Sequence, residues 1–324
     1  MKLKTIIFLS IWVVLSVVYL PLTEAYWIWT PETNRFINPK NEPKGSPEEQ
    51  FDWAMSFYEA KEYKDALKEF RKLVKHYSRS VQASQSLYHA GECLEKLGSY
   101  YKAFEEYQRI IDEYPGSQII GEVLQRQFKI GGLLLEGKEK KILGVQWSAF
   151  LAGDRAREIY RQIIANAPYG DYADDAQFKL GFSFEHDRCY DEAVAEYKKL
   201  LKEYPESELA DQANYRIGLC SYMYSLPSDY DDKATVEAKK NFESFVKRHP
   251  NSPLKAEVQK NLKQLSEKEA CKIFDTALFY EQQDKLEAAL IYYQEVKDRY
   301  PGTKWAAKAA KKAVRIERTI KETE

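Results

Sequence analysis

The sequence is poor in the residues that interrupt regular backbone structure. Its 324 residues include only 14 glycines and 12 prolines, so long stretches carry no turn signal. No stretch of useful length alternates apolar and polar residues with the period of two that a half-buried strand requires. The 24 tyrosines and 15 phenylalanines supply much aromatic surface for burial. The composition therefore favours helices joined by short connections.

Neither sign of charge dominates the chain. The 49 Lys and Arg residues face 50 Asp and Glu residues, for a net charge of −1, so no general attraction for nucleic acid exists. Positive charge is in local excess at the end, where residues 304–324 hold seven Lys or Arg against three Glu. This segment is either the solvated face of a terminal helix or a docking surface for an acidic lipid or partner.

Cysteine is scarce and scattered. Cys93, Cys189, Cys220 and Cys271 form no C-x-x-C pair of the kind that binds zinc. Each is either a small buried hydrophobe or, in an exported chain, part of a disulfide, and Cys189 and Cys220 are the pair in neighbouring repeats. The four histidines share no local spacing, and P-loop, G-x-S-x-G and H-E-x-x-H motifs are absent. We therefore expect no enzyme, no cofactor and no metal site.

One apolar run is long enough to suggest a targeting segment. Residues 6–20 follow two lysines and lead through Pro21 to Ala25, a small residue of the kind that signal peptidase needs. We expect export to the periplasm and cleavage after Ala25, with an uncleaved anchor as the alternative. No cysteine lies near this point. We therefore expect membrane association through partners or an uncleaved signal rather than through a lipid anchor.

What the sequence has in abundance is internal repetition. A small residue, an alanine 12 positions later, an apolar residue 7 further on and a proline 5 after that recur along the chain. Three copies keep the full frame, beginning at Gly91, Gly181 and Ala277. A fourth copy, from Ala54, has Ser78 in place of the proline, and two more keep only the second half. Four positions after the alanine, all six copies have an aromatic residue: Phe70, Tyr107, Tyr160, Tyr197, Phe242 and Tyr293.

This spacing has a direct physical meaning. Small residues let two helices approach closely, the aromatic ring fills the space beside them, and proline ends the second helix. The pattern is that of the tetratricopeptide repeat, two antiparallel helices in about 34 residues. We predict an all-α tetratricopeptide-repeat superhelix of about six helix-turn-helix units, two of them with insertions.

The repeats divide the chain into five segments. We expect a signal peptide over residues 1–25, a linker or extended arm over 26–47, N-terminal units over 48–117, a unit with an insertion over 118–171 and further units over 172–324. Insertions precede the second helix at residues 137–154 and 225–235, and a long polar helix spans 254–269.

The second half of the chain combines these features in a distinctive order. An Asp-rich insertion, DYDD, is followed by the turn RHPNSP, by an extended polar helix containing LSEKE, and by a last repeat ending YPGT. From about Gly153 onward this order resembles the BamD family of outer-membrane β-barrel assembly factors. The resemblance implies a periplasmic scaffold that binds BamA-type POTRA domains and unfolded outer-membrane proteins. It also implies a lipidated cysteine after the signal, a position where this sequence has none.

Two other interpretations stay open at this point. Exported tetratricopeptides also occur in cell-division accessories of the Tol–Pal type, similar to CpoB, and in other periplasmic adaptors. In each case we expect partners to bind the concave surface lined by the first helix of each pair, where aromatic residues stand beside carboxylates. Phe178 and Phe182 fit a core role equally well. The candidate binding residues are Tyr88, Glu92, Trp147, Asp175, Phe178, Phe182, Phe274 and Leu278.

Overall fold

A computed structural model describes residues 28–30, 35–37, 42–138, 148–225 and 232–323. The expected signal segment, its cleavage site and Trp147 lie outside the described residues, as do most residues of the two insertions. Contacts divide the chain into two compact units, Met1–Cys93 and Leu94–Glu324.

The described residues form thirteen helices and one small hairpin. This confirms the prediction of an all-α fold. The helices are α1 (Pro47–Glu59), α2 (Tyr63–His76), α3 (Gln82–Lys96), α4 (Tyr100–Glu113), α5 (Ile120–Leu135), α6 (Ser148–Asn166), α7 (Ala173–His186), α8 (Tyr190–Glu203), α9 (Ala210–Ser225), α10 (Asp232–Arg248), α11 (Lys255–Gln282), α12 (Leu286–Arg299) and α13 (Lys304–Thr323).

The hairpin lies in the stretch expected to be a linker or extended arm. Strands β1 (Ile28–Thr30) and β2 (Arg35–Ile37) pair in antiparallel fashion, with Trp29 opposite Phe36. The two rings lie 5.2 Å apart, and both side chains are exposed. Aromatic cross-strand pairs of this kind stabilise short hairpins, although the sequence shows no alternating pattern here.

In the first unit, α1 begins with a side-chain cap and a proline. The Ser46 hydroxyl accepts a hydrogen bond from the Glu49 backbone amide (3.2 Å), and Pro47 holds the first helical position. Buried Gln50 on α1 donates a hydrogen bond from Nε2 to the Glu69 carbonyl of α2 (3.1 Å). Below it, Ala54, Ala66, Phe70, Ala90 and Cys93 form a fully buried cluster.

In the second unit, a glycine on the first helix meets the aromatic residue of the second helix in each of three pairs. A Cβ added at Gly181 would lie 2.8 Å from the Tyr197 ring, as predicted for this small residue and its aromatic partner. Gly131 stands in the same relation to Tyr160 (2.8 Å), and Gly218 to Phe242 (2.6 Å). Such distances leave no room for a methyl group, so the absence of a side chain sets how closely the helices approach.

The expected polar helix over residues 254–269 is the first part of a longer helix. Helix α11 runs unbroken for 28 residues and includes the first helix of the last pair. Its first half buries Val258 and Leu265 in a cluster with Phe245 of α10. Its second half buries Phe274 and Ala277 with residues of α12 and α13. One helix therefore joins two consecutive cores.

All four cysteines are free thiols. Cys93 and Cys220 are fully buried, which agrees with the hydrophobic alternative for these two residues. Cys189 and Cys271 are partly exposed. The suggested disulfide between Cys189 and Cys220 is not formed.

Candidate functional site

A groove lies between α9 and the start of α11, with a cavity of about 580 Å³. We call it the α9–α11 groove. Its lining residues are Glu208, Asp211, Gln212, Tyr215, Arg216, Leu219, Ser252, Pro253, Leu254 and Glu257. Three carboxylates surround an apolar floor formed by tyrosine, leucine and proline side chains.

Helix packing places the floor residues in the groove. Gly218 packs against Phe242. Tyr215, three residues before Gly218, and Leu219, one residue after it, therefore lie on a neighbouring face of α9. Both line the groove. Ser252 and Leu254 come from the turn before α11, where the Leu254 amide donates a hydrogen bond to the Ser252 hydroxyl (3.3 Å).

The groove is acidic. The Asp211 carboxylate lies 2.6 Å from Nδ1 of His249, whereas Glu208 is exposed at the rim. Burial, together with a hydrogen bond to Glu257 and its negative charge, raises the pKa of Tyr215 to about 12. Burial also raises the pKa of the neighbouring Asp175 carboxyl, with further contributions from the charges of Asp174 and Glu208. Clustered carboxylates of this kind favour a ligand that brings positive charge.

The arginine among the described lining residues is already neutralised. Arg216 forms an ion pair with Glu185 of α7 (2.7 Å) and lies over the Phe182 ring (5.4 Å). Its charge therefore serves to join α9 to α7. The exposed carboxylate of Glu208 at the rim can face a partner's lysine or arginine.

The structure divides the candidate binding residues into two groups. Tyr88, Phe178 and Phe274 are buried at 9%, 6% and 7% exposure and offer little surface to a partner. Phe178 packs on Tyr197 (5.3 Å), and Phe274 packs on Tyr293 (5.2 Å). The partly exposed group consists of Glu92, Asp175, Phe182 and Leu278.

Two of the partly exposed candidates lie beside the groove. Phe182 contacts Arg216, and the charge of Glu208 acts on Asp175. Glu92 has a local role in the first unit, where it accepts a hydrogen bond from the Tyr58 hydroxyl (3.1 Å) and pairs with His89 (2.9 Å). Leu278 belongs to the last helix pair.

Sequence reasoning missed the groove residues themselves. Tyr215 and Leu219 stand at the same offsets from Gly218 as Phe178 and Phe182 do from Gly181. That correspondence was present in the sequence. The insertion between α9 and α10 hid it, because it lengthens the interval between Gly218 and the alanine of the second helix.

The described residues hold no cluster of three or more His, Cys, Asp or Glu side chains placed to bind a metal ion. Among the thirteen helices of the described ranges, none combines the length and the apolar character needed to cross a bilayer.

Paired helices with small residues facing aromatic ones define this chain as a tetratricopeptide-repeat protein, and a tetratricopeptide repeat model matches residues 51–118. The model of the outer membrane lipoprotein family YfiO matches residues 153–324, which is more than half of the chain. The chain belongs to this family, and the resemblance to BamD is thereby confirmed. Both families consist of protein-interaction scaffolds rather than enzymes.

Solved structures of several tetratricopeptide proteins are similar to the chain. A thermophilic TPR protein from Thermus thermophilus is 13% identical over 67% of this chain and 99% of its own, with a TM-score of 0.35. A TPR protein from Parabacteroides merdae is 11% identical over 83% and 98%, with a TM-score of 0.36. The C-terminal part of a TPR protein from Cytophaga hutchinsonii is 17% identical over 82% and 88%, with a TM-score of 0.38. No curated protein matches the sequence.

Proposed function

We propose that this chain is a periplasmic scaffold of the outer-membrane β-barrel assembly machinery, which binds BamA-type POTRA domains, unfolded outer-membrane proteins or both. The observation that carries the proposal is the α9–α11 groove, with an apolar floor of Tyr215 and Leu219 beneath the carboxylates of Glu208 and Glu257. Membership of an outer membrane lipoprotein family supports the location.

The chemistry of the groove favours a polypeptide ligand. Its apolar floor suits one or two hydrophobic side chains of an extended or helical segment, and its rim suits a lysine or arginine beside them. We propose no catalysis at this site. The acidic side chains of the groove serve to contact neighbouring side chains and the partner, and not to activate a nucleophile.

Attachment to the membrane follows from the same proposal. We further propose that the protein associates with the membrane through its partners or through the apolar segment at residues 6–20.

Site-specific crosslinking in cells that express the full chain tests the proposal. A photoreactive amino acid at Gln212 or Leu219 would report neighbours of the groove, and the same group at exposed Lys199 on α8 is the control. We expect crosslinks from the groove positions to a POTRA-containing protein or to unfolded outer-membrane proteins. Crosslinks to Tol–Pal components would favour the cell-division alternative, and an absence of groove-specific crosslinks would refute the proposal.

A binding measurement with purified POTRA domains gives a second readout. The Leu219→Arg variant fills the floor with a charge, and because Leu219 is only partly buried the helix pair should remain folded. We expect roughly tenfold or greater weakening, which is typical for loss of a central apolar contact. Lys199→Glu should bind like the unaltered protein.

A further inference from the structure

The last helix carries a row of positive charge that its fold does not require. Five cations of α13 recur at intervals of four and three residues, so they lie on one ridge of the helix. These residues are Lys304, Lys308, Lys311, Arg315 and Arg318, and all five are exposed. We call this row the α13 basic ridge. Its length is about 21 Å at the helical rise of 1.5 Å per residue.

The opposite face of α13 attaches the helix to the protein. Ala309, Ala313 and Ile316 are buried against α11 and α12. The helix is therefore fixed in place, and its basic ridge points away from the core. An amphipathic helix held in this way presents its charges without exposing its apolar side.

Like charges at these intervals destabilise a helix. Helix α2 also carries a shorter exposed row, of Lys64, Lys68, Arg71 and Lys75, whereas other helices pair their cations with carboxylates. On α4, Arg109 lies between Glu106 and Glu113 and bonds to both. On α12, Arg299 pairs with Glu295. Between Lys304 and Arg318, by contrast, the ridge holds no carboxylate, and Glu317 lies to its side, where it accepts a hydrogen bond from Gln294.

Local contacts account for only part of the ridge. Arg315 pairs with Glu281, and Lys304 and Lys308 lie over the Trp305 ring. For Lys311 and Arg318 no hydrogen bond or ion pair links either side chain to another described residue. Two exposed charges in the middle and at the end of the ridge thus stay available for an external ligand.

We propose that the α13 basic ridge docks on an anionic phospholipid surface. Protein interfaces are depleted in lysine and centre on aromatic or apolar residues. Beside the ridge, the exposed apolar residues are Ala307 and Val314, and the Trp305 ring is partly buried beneath Lys304 and Lys308. An anionic bilayer requires charge density alone, and several clustered Lys or Arg residues are sufficient to hold a protein at its surface. Membership of an outer membrane lipoprotein family places such a surface beside the chain.

Vesicle co-sedimentation of the full chain tests the ridge. The probes are vesicles of phosphatidylcholine alone and vesicles that also contain phosphatidylglycerol. We expect tighter binding to the anionic vesicles than to phosphatidylcholine alone, and a loss of this difference as salt is added, because exposed charges are screened. Binding to neither kind of vesicle, or equal binding to both, would overturn the proposal.

A charge-reversal variant makes the test specific. Lys311→Glu together with Arg318→Glu should lower binding at least tenfold or so, since each charge near the surface contributes substantially. The fold should survive, because the glutamate introduced in place of Lys311 would face Arg315 one turn later, a favourable spacing. Lys199→Glu with Lys202→Glu on α8 applies the same change of net charge to exposed residues elsewhere.

Three outcomes separate the possibilities. Loss of anionic-vesicle binding in the α13 variant, with the α8 control unchanged, would support the ridge. Equal loss in both variants would show a general charge effect and overturn it. If the α13 variant instead lost a crosslinked acidic protein and the vesicle binding did not change, the ridge would be a protein interface and the lipid proposal would be wrong.

Discussion

The Tyr197 hydroxyl donates a hydrogen bond to the Glu185 carboxylate, 2.8 Å away and twelve residues earlier in the chain. The same relation recurs at Tyr107 and Glu95 (2.6 Å) and at Tyr293 and Glu281 (2.6 Å). In each case the carboxylate also accepts from a cation 31 residues further on. These cations are Arg126, Arg216 and Lys312.

This repeated cluster joins three helices at one carboxylate. The glutamate ends the first helix of a pair, the tyrosine belongs to the second helix, and the cation comes from the helix that follows. A single side chain therefore fixes both the packing within a pair and the packing on the next. The ring of each tyrosine is buried between the helices, and its hydroxyl donates a hydrogen bond to the carboxylate. Buried tyrosines usually find a hydrogen-bond partner in this way.

Replacing Tyr197 by phenylalanine tests the cluster. The ring stays, so the packing against Gly181 is kept, but Glu185 loses the hydrogen bond from the Tyr197 hydroxyl and keeps its ion pair with Arg216. We expect a loss of about 1–2 kcal/mol in unfolding free energy, the usual cost of removing one partner of a partly buried charged hydrogen bond. Urea unfolding followed by circular dichroism measures it. Tyr169→Phe is the control because Tyr169 is 95% exposed, and equal stability of the two variants would contradict the expectation.

Adjacent glycines on α5 give a matched test of helix approach. A methyl group at Gly131 would lie 2.8 Å from the fully buried Tyr160 ring, whereas one at Gly132 would meet no atom within 4 Å. Gly131→Ala should therefore destabilise the protein by about 1–3 kcal/mol through overpacking. Gly132→Ala should stabilise it by about 0.5–1 kcal/mol, because alanine is the better helix former. Thermal unfolding of both variants distinguishes packing from propensity, and a shift of the same sign in both would rule out the packing explanation.

These glycines also show what the sequence could and could not predict. The interval of 12 between Gly181 and Ala193 identified a close helix pair, and the structure agrees. Gly131 and Gly218 have the same role, but insertions lengthen the interval in their pairs, so the fixed spacing did not reveal them. When an insertion separates the two helices of a pair, their contacts depend on how the inserted loop brings its ends together. The periodicity of either helix does not contain this information.

For a related reason, the repeat pattern did not predict the groove or the carboxylates that accept hydrogen bonds from the tyrosine hydroxyls. Periodicity predicts which face of a helix is buried. It placed Phe182, which lies beside the groove, on the first helix of its pair, and the structure agrees. It does not specify where α11 begins or that its polar part continues into the last pair. The cavity depends on the turn at Ser252 and Leu254. The packing of α11 on α10 sets the position of this turn, and periodicity does not predict that packing.

Acid should weaken the last helix pair through Glu281. Burial alone would raise the pKa of this carboxyl, but hydrogen bonds from Tyr293 and Lys312 and the charges of Lys312 and Arg315 lower it below the ordinary 4.5. A group whose pKa is lower in the folded state contributes stability above its unfolded pKa and loses it as the pH falls through its folded pKa. The contribution is therefore complete at neutral pH and is lost below about pH 4.5.

The Glu281→Gln variant isolates this contribution. At pH 7 its urea midpoint should lie below that of the unaltered protein, because glutamine accepts from Tyr293 without pairing the charges of Lys312 and Arg315. As the pH falls through the folded-state pKa of Glu281, which lies below 4.5, the two midpoints should converge, since the native carboxyl then becomes protonated as well. A difference that stays constant from pH 7 downward would mean that packing, not charge, explains the effect of the substitution.

Thiol labelling should divide the four cysteines by burial. Burial raises the pKa of both Cys93 and Cys220 to about 12, with Glu92 and Glu185 respectively adding to the shift, so almost no thiolate forms at pH 8. Cys189 is partly exposed and should react with iodoacetamide first. Cys271 should follow more slowly, because burial and the charge of Asp275 raise the pKa of its thiol.

Peptide mass spectrometry after timed labelling measures these rates residue by residue. In the native protein we expect Cys189 to be modified, then Cys271, while Cys93 and Cys220 stay protected until denaturant is added. The denatured sample is the control, because all four thiols should then react at similar rates. If Cys189 and Cys220 remained unmodified even in denaturant without a reductant, they would be joined in a disulfide, and the free-thiol arrangement of α8 and α9 would be wrong.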